Sequence, residues 1–245
     1  MPTIVVASPK GGVGKSTTAN ILMTCLARRD ATVSGIDADR NRPQLKWALR
    51  AGVRVLPERP THKPKTLPTL TIIEETGEES LIQTIQAAAA RTQFVIVDLE
   101  GVASQAATFA ISQADMVVIP CGPSYLDAVE AAAVLRVVQD CEMMARKPIH
   151  IPAAVVMTRT SPAVKPDTQR EVERQFAAHK TPLYDVQLHL RTAYAAIFSR
   201  GVPLHDLPHA KVHKLDAAVE NAEAFMAETI RRIDLAQTGA ERAVA

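Results

Sequence analysis

The chain has 245 residues, 47% of them apolar, which is enough for a large core within one α/β unit. Lysine and arginine number 28 against 26 aspartates and glutamates, so any attraction to nucleic acid has to come from a local patch rather than from overall charge. The cysteines Cys25, Cys121 and Cys141 form no close pair, which speaks against a disulfide framework or a metal cluster and suits buried thiols in a reducing compartment.

In chain order, the apolar run Ile4 to Ala7 leads into Pro9-Lys10-Gly11-Gly12-Val13-Gly14-Lys15-Ser16-Thr17 and then a helix over Ser16 to Arg28, with Ala19, Leu22, Met23 and Leu26 on one face. A second strand-like run, Thr32 to Ile36, ends at Asp37 and Asp39. Residues 52–68 carry Pro57, Pro60, Pro64 and Pro68 among Arg54, Arg59, Lys63 and Lys65, which predicts a long exposed loop. Further strands are expected at Leu70 to Ile73, Phe94 to Val97, Met116 to Ile119 and Ala153 to Met157, with a long helix over Leu126 to Ala145. The alternation predicts an α/β fold: a mostly parallel twisted sheet with helices on both faces. One domain over residues 1–236 is expected, with 237–245 a fraying tail. The chain enters its first strand with no basic leader or apolar signal segment, and no run of about eighteen apolar residues occurs, so a cytoplasmic protein is expected.

The first of these segments carries most of the chemistry. A strand, a glycine-rich loop and a helix start can wrap backbone N–H groups around phosphates: Gly11, Gly12 and Gly14 clear the space, Lys15 reaches the β- and γ-phosphates, and the Ser16 hydroxyl is placed for Mg²⁺. Val13 and Thr17 belong to the same nucleotide-binding run. In open parallel sheets ligands collect beyond the carboxyl ends of the strands, so Asp98, which closes its strand run, is a candidate Mg²⁺ ligand and Asp37 and Asp39 are candidates for metal or water.

Lys10-Gly11-Gly12-Val13-Gly14-Lys15-Ser16 resembles the deviant phosphate loop of the ParA/MinD family of ATPases, closest to short ParA-type members without an added N-terminal helix-turn-helix domain. The resemblance implies a P-loop NTPase fold with ATP and Mg²⁺ as cofactors and slow hydrolysis. It also implies a homodimer formed on ATP binding, in which Lys10 reaches the partner subunit's nucleotide. Asp39 would position the attacking water, with Asp37 supporting it near Mg²⁺. Ala114-Asp115-Met116-Val117-Val118-Ile119-Pro120 resembles the family's next strand. Departures are the run Arg40-Asn41-Arg42-Pro43 where proline and glutamine usually follow the aspartate, Leu99-Glu100-Gly101 after Asp98, and Val156-Met157-Thr158-Arg159 where asparagine is frequent; Thr158 and Arg159 are the candidates for the adenine side.

A DNA-bound state needs clustered cations. Arg191, Arg200, Lys211 and Lys214 lie in a segment whose single acid is Asp206, and Leu190-Arg191 and Arg200-Gly201-Val202-Pro203 resemble the part of ParA proteins that contacts DNA nonspecifically. With 4% aromatic residues, double-stranded backbone contact fits better than stacking on single strands. The resemblance adds a ParB-like or equivalent partner that stimulates hydrolysis. Its tasks are partition or positioning of plasmid or chromosomal DNA or of a DNA-associated complex, and Pro123-Ser124-Tyr125-Leu126-Asp127 points to the conjugative type. The alternatives are a nucleotide-locked scaffold without useful hydrolysis and a MinD-like membrane-positioning ATPase. The latter needs an amphipathic tail, but Phe225 to Leu235 is interrupted by Glu228, Arg231, Arg232 and Asp234 and reads as a packing helix, so no stable membrane association is expected. His205, His209 and His213 have helical metal-ligand spacing, but Pro208 breaks the helix and surface histidines are expected.

Overall fold

The computed structural model describes residues 1–59, 66–75, 77, 80–102, 104–145 and 149–239. Its strands are β1 (Thr3–Val6), β2 (Val33–Ala38), β3 (Arg54–Leu56), β4 (Leu70–Glu74), β5 (Phe94–Leu99), β6 (Met116–Cys121), β7 (Ala153–Thr160) and β8 (Leu188–His189). The helices are α1 (Lys15–Arg28), α2 (Pro43–Ala51), α3 (Leu81–Ala89), α4 (Gln105–Ser112), α5 (Tyr125–Met144), α6 (Asp167–Ala178), α7 (Thr192–Arg200) and α8 (Leu215–Gln237). The strands pair in the order β3-β4-β2-β5-β1-β6-β7-β8, and every pairing is parallel. The expected α/β fold is thus the observed one.

Successive side chains of β1 go to opposite faces. Ile4 and Val6 join Leu22, Met23, Trp47, Ile96 and Phe225 in one core layer, under α1, α2, α7 and α8. Val5 and Ala7 join Ile85, Val97, Ile111, Val134 and Phe176 in the other, under α3 to α6. Because β1 is central, with β5 on one side and β6 on the other, its carboxyl end opens where connections leave toward both layers, which is where an open parallel sheet places its crevice.

Two short strands escaped the sequence reading. β3 falls inside the span read as one exposed loop; Val53 and Val55 are buried there, so the exposed excursion begins only after the strand, and Pro60 to Lys65 lie outside the described residues. β8 extends the sheet beyond β7 by two residues. α8 is a packing helix as expected, with Phe225, Met226 and Ile233 buried. Glu228, read as a polar interruption, faces inward: it accepts from the Asp185 and Val186 N–H groups at 2.9 and 2.8 Å and pairs with Arg232. Of the tail 237–245, residues 240–245 lie outside the described residues. All three cysteines are free and buried, and among the described residues no helix is long and apolar enough to cross a membrane.

Candidate nucleotide site

Beyond β1 the chain turns through a loop in which Gly12 and Gly14 have φ of 82° and 97°, left-handed values that strain any residue with a side chain. Gly14 is the N-cap of α1 and makes no side-chain cap, so the first N–H groups of the helix, which have no intrahelical acceptor, are left for an anion. They border a cavity of about 830 Å³ whose walls include Gly11, Lys15, Ser16, Asp39, Glu100 and Phe198. Lys15 is buried and its Nζ donates to the Lys10 carbonyl at 2.9 Å. Desolvation lowers its pKa, opposed by the charges of Asp98, Asp39 and Glu100.

The acidic wall comes from the ends of β2 and β5, which are adjacent and in register at Asp37 and Asp98. Burial pushes Asp98 up to about 6, against hydrogen bonds from Gln44 and Ser16 that favour its charged form. Its Oδ2 accepts from Gln44 Nε2 at 2.8 Å, while Oδ1 is buried with no partner. The orphaned Oδ1 and the Ser16 hydroxyl, which interacts with the Asp98 carboxylate, form a hard-oxygen donor set that fits a divalent cation of the Mg²⁺ type. Burial pushes Asp37 up to about 7; its Oδ2 accepts from Leu45 N–H at 2.8 Å and its Oδ1 from Asp39 N–H at 3.4 Å. Both oxygens therefore hold the turn into α2. Asp39 sits on the cavity wall, its Oδ1 accepting from Asn41 N–H at 2.7 Å.

The two loop lysines have different surroundings. Lys10 is 43% exposed and its Nζ lies 2.5 Å from Asp127 Oδ1, while Ser124, the N-cap of α5, donates to Asp127 Oδ2 at 2.7 Å. Burial works against ionisation of Asp127, but these bonds from Lys10 and Ser124 hold its carboxyl below the usual range.

Thr158 and Arg159 clasp the loop from β7. Thr158 Oγ1 donates to the Val13 carbonyl at 2.7 Å and Arg159 Nη1 to the Gly12 carbonyl at 3.2 Å. Both line a second, more apolar cavity of about 190 Å³ together with Gly14, Leu190, Arg191 and Tyr194, next to the phosphate loop where a base attached to bound phosphates can lie.

The chain matches the model of the VirC1 protein family over residues 1–235. It belongs to the VirC1 family. This family member is also 38% identical over 234 residues to Protein ParA of Rhizobium radiobacter, covering 95% of this chain and 98% of that protein, which sets it among the ParA/MinD proteins. The fold agrees. The septum site-determining protein MinD of Pyrococcus horikoshii, complexed with Mg-ADP, superposes with a TM-score of 0.68 at 15% identity, over 93% of this chain and 95% of that one. The Cyanothece McdA(D38A)–ATP complex gives 0.66 at 20% identity, over 91% and 96%. At these identities the likeness is one of fold.

The basic residues of this VirC1-family chain do not share one location. Arg191 is the N-cap residue of α7; it lines the smaller cavity and its Nε is buried without a partner. Arg200 ends α7, about 13 Å further along at 1.5 Å per residue. Arg200, Lys211 and Lys214 are exposed, with no acidic partner among the described residues, and Asp206 is neutralised by Arg28. The histidines do not converge: His205 and His209 sit on separate 3-10 turns, and His205 Nε2 pairs with Glu223 at 2.9 Å.

Sequence reasoning missed Gln44 and the role of Asp127. The Ser124-x-x-Asp127 spacing is a helix-start signature and marked the turn that holds Lys10. Gln44 follows Pro43, a helix-start residue, but nothing local gives its partners.

Proposed function

We propose that this chain is a ParA-type ATPase that dimerises on binding ATP, holds double-stranded DNA without reading its sequence in that state, and is reset when a partner protein stimulates hydrolysis. The observation that carries the reading is Lys10. A second loop lysine is half-exposed and held by Asp127, while Lys15 already occupies the interior of the loop, which leaves Lys10 available to a nucleotide in another subunit.

The chain's own residues divide the chemistry. The loop N–H groups and Lys15 bind the phosphates, with Thr158, Arg159 and Arg191 on the base side. Asp39 orients a water in line with the γ-phosphate, and Lys15 and the partner subunit's Lys10 offset the charge that builds on the transferred group. Ser16 and Asp98 are the residues that would hold Mg²⁺, which would supply neutralisation of phosphate charge. Loss of the γ-phosphate removes the contacts that favour the paired state, so the cycle works as a timer. Arg200, Lys211 and Lys214 provide the salt-sensitive contact to DNA phosphates. The task served is partition or positioning of plasmid or chromosomal DNA, or of a DNA-associated complex, supported by the ParA relative.

Sedimentation with and without ATP and Mg²⁺, repeated with a DNA duplex over a salt series, tests the proposal. The expected result is a dimer with ATP only, binding DNA only in that form. A monomer under every condition contradicts it, and an ATP dimer that releases no phosphate even on DNA points instead to a nucleotide-locked scaffold.

A further inference from the structure

Gln44 lies in the first turn of α2 and is fully buried. Its amide nitrogen carries two hydrogens and both are used. One goes to the Ser16 carbonyl at 2.8 Å, the other to Asp98 Oδ2 at 2.8 Å. Its Oε1 accepts from Asn20 Nδ2 at 3.0 Å, and Asn20 is itself fully buried. One side chain therefore joins α1, which carries Ser16, to β5, which carries Asp98, from a helix that begins just after Asp39.

We infer that Gln44 is a positioning residue for the divalent cation: it commits Asp98 Oδ2 to itself, which leaves Oδ1 as the oxygen free for the metal, and it fixes the backbone of Ser16, whose hydroxyl interacts with the same carboxylate. This rests on the ATP and Mg²⁺ reading given above. Three features support it. Asp98 Oδ1 is the carboxylate atom left without a protein partner, although it is buried. The Ser16 carbonyl, which can only accept, requires the NH₂ end of the Gln44 amide and so fixes which end faces Asp98. Only a side chain with two donors can serve an acceptor on the loop helix and an acceptor on β5 at once. Outer partners of this kind orient metal ligands, and their loss commonly weakens metal affinity by roughly 10- to 100-fold.

The test compares wild type with Gln44→Met, which keeps the length and removes both donors, by titrating Mg²⁺ into protein with a fluorescent ATP derivative. Nucleotide affinity in EDTA and melting of the nucleotide-free protein are measured alongside. The Mg²⁺ midpoint is expected to rise on the order of tenfold or more, with affinity in EDTA unchanged. Gln44→Asn, an amide too short to reach both acceptors, should move the midpoint in the same direction and serves if Gln44→Met does not fold. A midpoint within about twofold of wild type, even with a lowered melting temperature, would overturn the inference and leave Gln44 a structural residue. Wild-type binding that ignores Mg²⁺ would overturn both it and the reading it rests on.

Discussion

At the phosphate loop, Lys15, Asp37 and Asp98 are buried, and each is met by a neighbouring dipole or charge. Arg200 at the end of α7, Lys211 on a 3-10 turn and Lys214 at the start of α8 are exposed and have no acidic partner among the described residues. Burial makes charge expensive, so the first region keeps groups held by hydrogen bonds, and a reaction requires such positioning. Exposure makes charge cheap and poorly fixed, which suits a backbone of phosphates read by charge alone. Arg191 separates the two: it lies in the basic segment by sequence and at the nucleotide side by structure.

The largest effect that would break this contrast is at Lys15. Lys15→Ala should cut ATP affinity or phosphate release on the order of 100-fold or more; a variant binding fluorescent ATP like wild type would mean that the buried region is not a phosphate site. Asp39→Ala is expected to keep the ATP-dependent dimer while losing phosphate release by about 100-fold, measured by sedimentation and a phosphate assay on the same sample.

Acidification sharpens the contrast further. Asp98 and Asp37 titrate at about 6 and about 7 when folded, above their unfolded values, so the folded chain binds the extra protons. As pH falls from 8 toward 5, this contributes stability to the nucleotide-free protein, which should melt higher. Protons and Mg²⁺ compete for the same oxygens, so the Mg²⁺ midpoint should rise over the same window by about tenfold per pH unit below 6. With ATP and Mg²⁺ held saturating, DNA contact through Arg200, Lys211 and Lys214 should not change over that window. Asp98→Asn should flatten the melting trend.

The exposed region predicts a change of slope. Replacing Arg200, Lys211 and Lys214 together by alanine should lower the salt dependence of DNA binding by roughly 3 in log–log slope, with ATP affinity retained. Arg191→Ala should leave that slope unchanged and weaken nucleotide binding instead.

The smallest expected effect is at Arg50, whose Nη1 and Nη2 donate to the Phe198 and Ser199 carbonyls at 2.8 and 2.7 Å and so close the end of α7 just before Arg200. Arg50→Ala should cost about 1 kcal/mol of stability, seen as a drop in melting temperature of roughly 2–4 °C. An unchanged melting temperature would show that this cap is not used.

The β1–loop–α1 unit was legible because a glycine turn and a helix start are local events, and Asp98 because it follows an apolar run. The links that organise the site are not local. Gln44 meets Asp98 across 54 positions and Lys10 meets Asp127 across 117, so only the packed sheet reveals them. β3 and β8 have three and two residues, too few for a periodic signal, and β3 sits against a proline-rich stretch that masks it. Arg191 and Arg200 read as members of one basic segment because sequence spacing does not show that they stand at opposite ends of α7. Glu228 was misjudged for the same reason, since its backbone partners lie in a loop 42 and 43 residues away.

The most direct test of Lys10 acting in the partner subunit is to mix Lys10→Ala with Asp39→Ala protein and measure phosphate release. Each variant alone should be inactive. In a mixed dimer, the Lys10→Ala subunit keeps its own Asp39 and receives Lys10 from its neighbour, so random pairing should restore roughly a quarter of wild-type turnover. A mixture as inactive as its components would contradict the account.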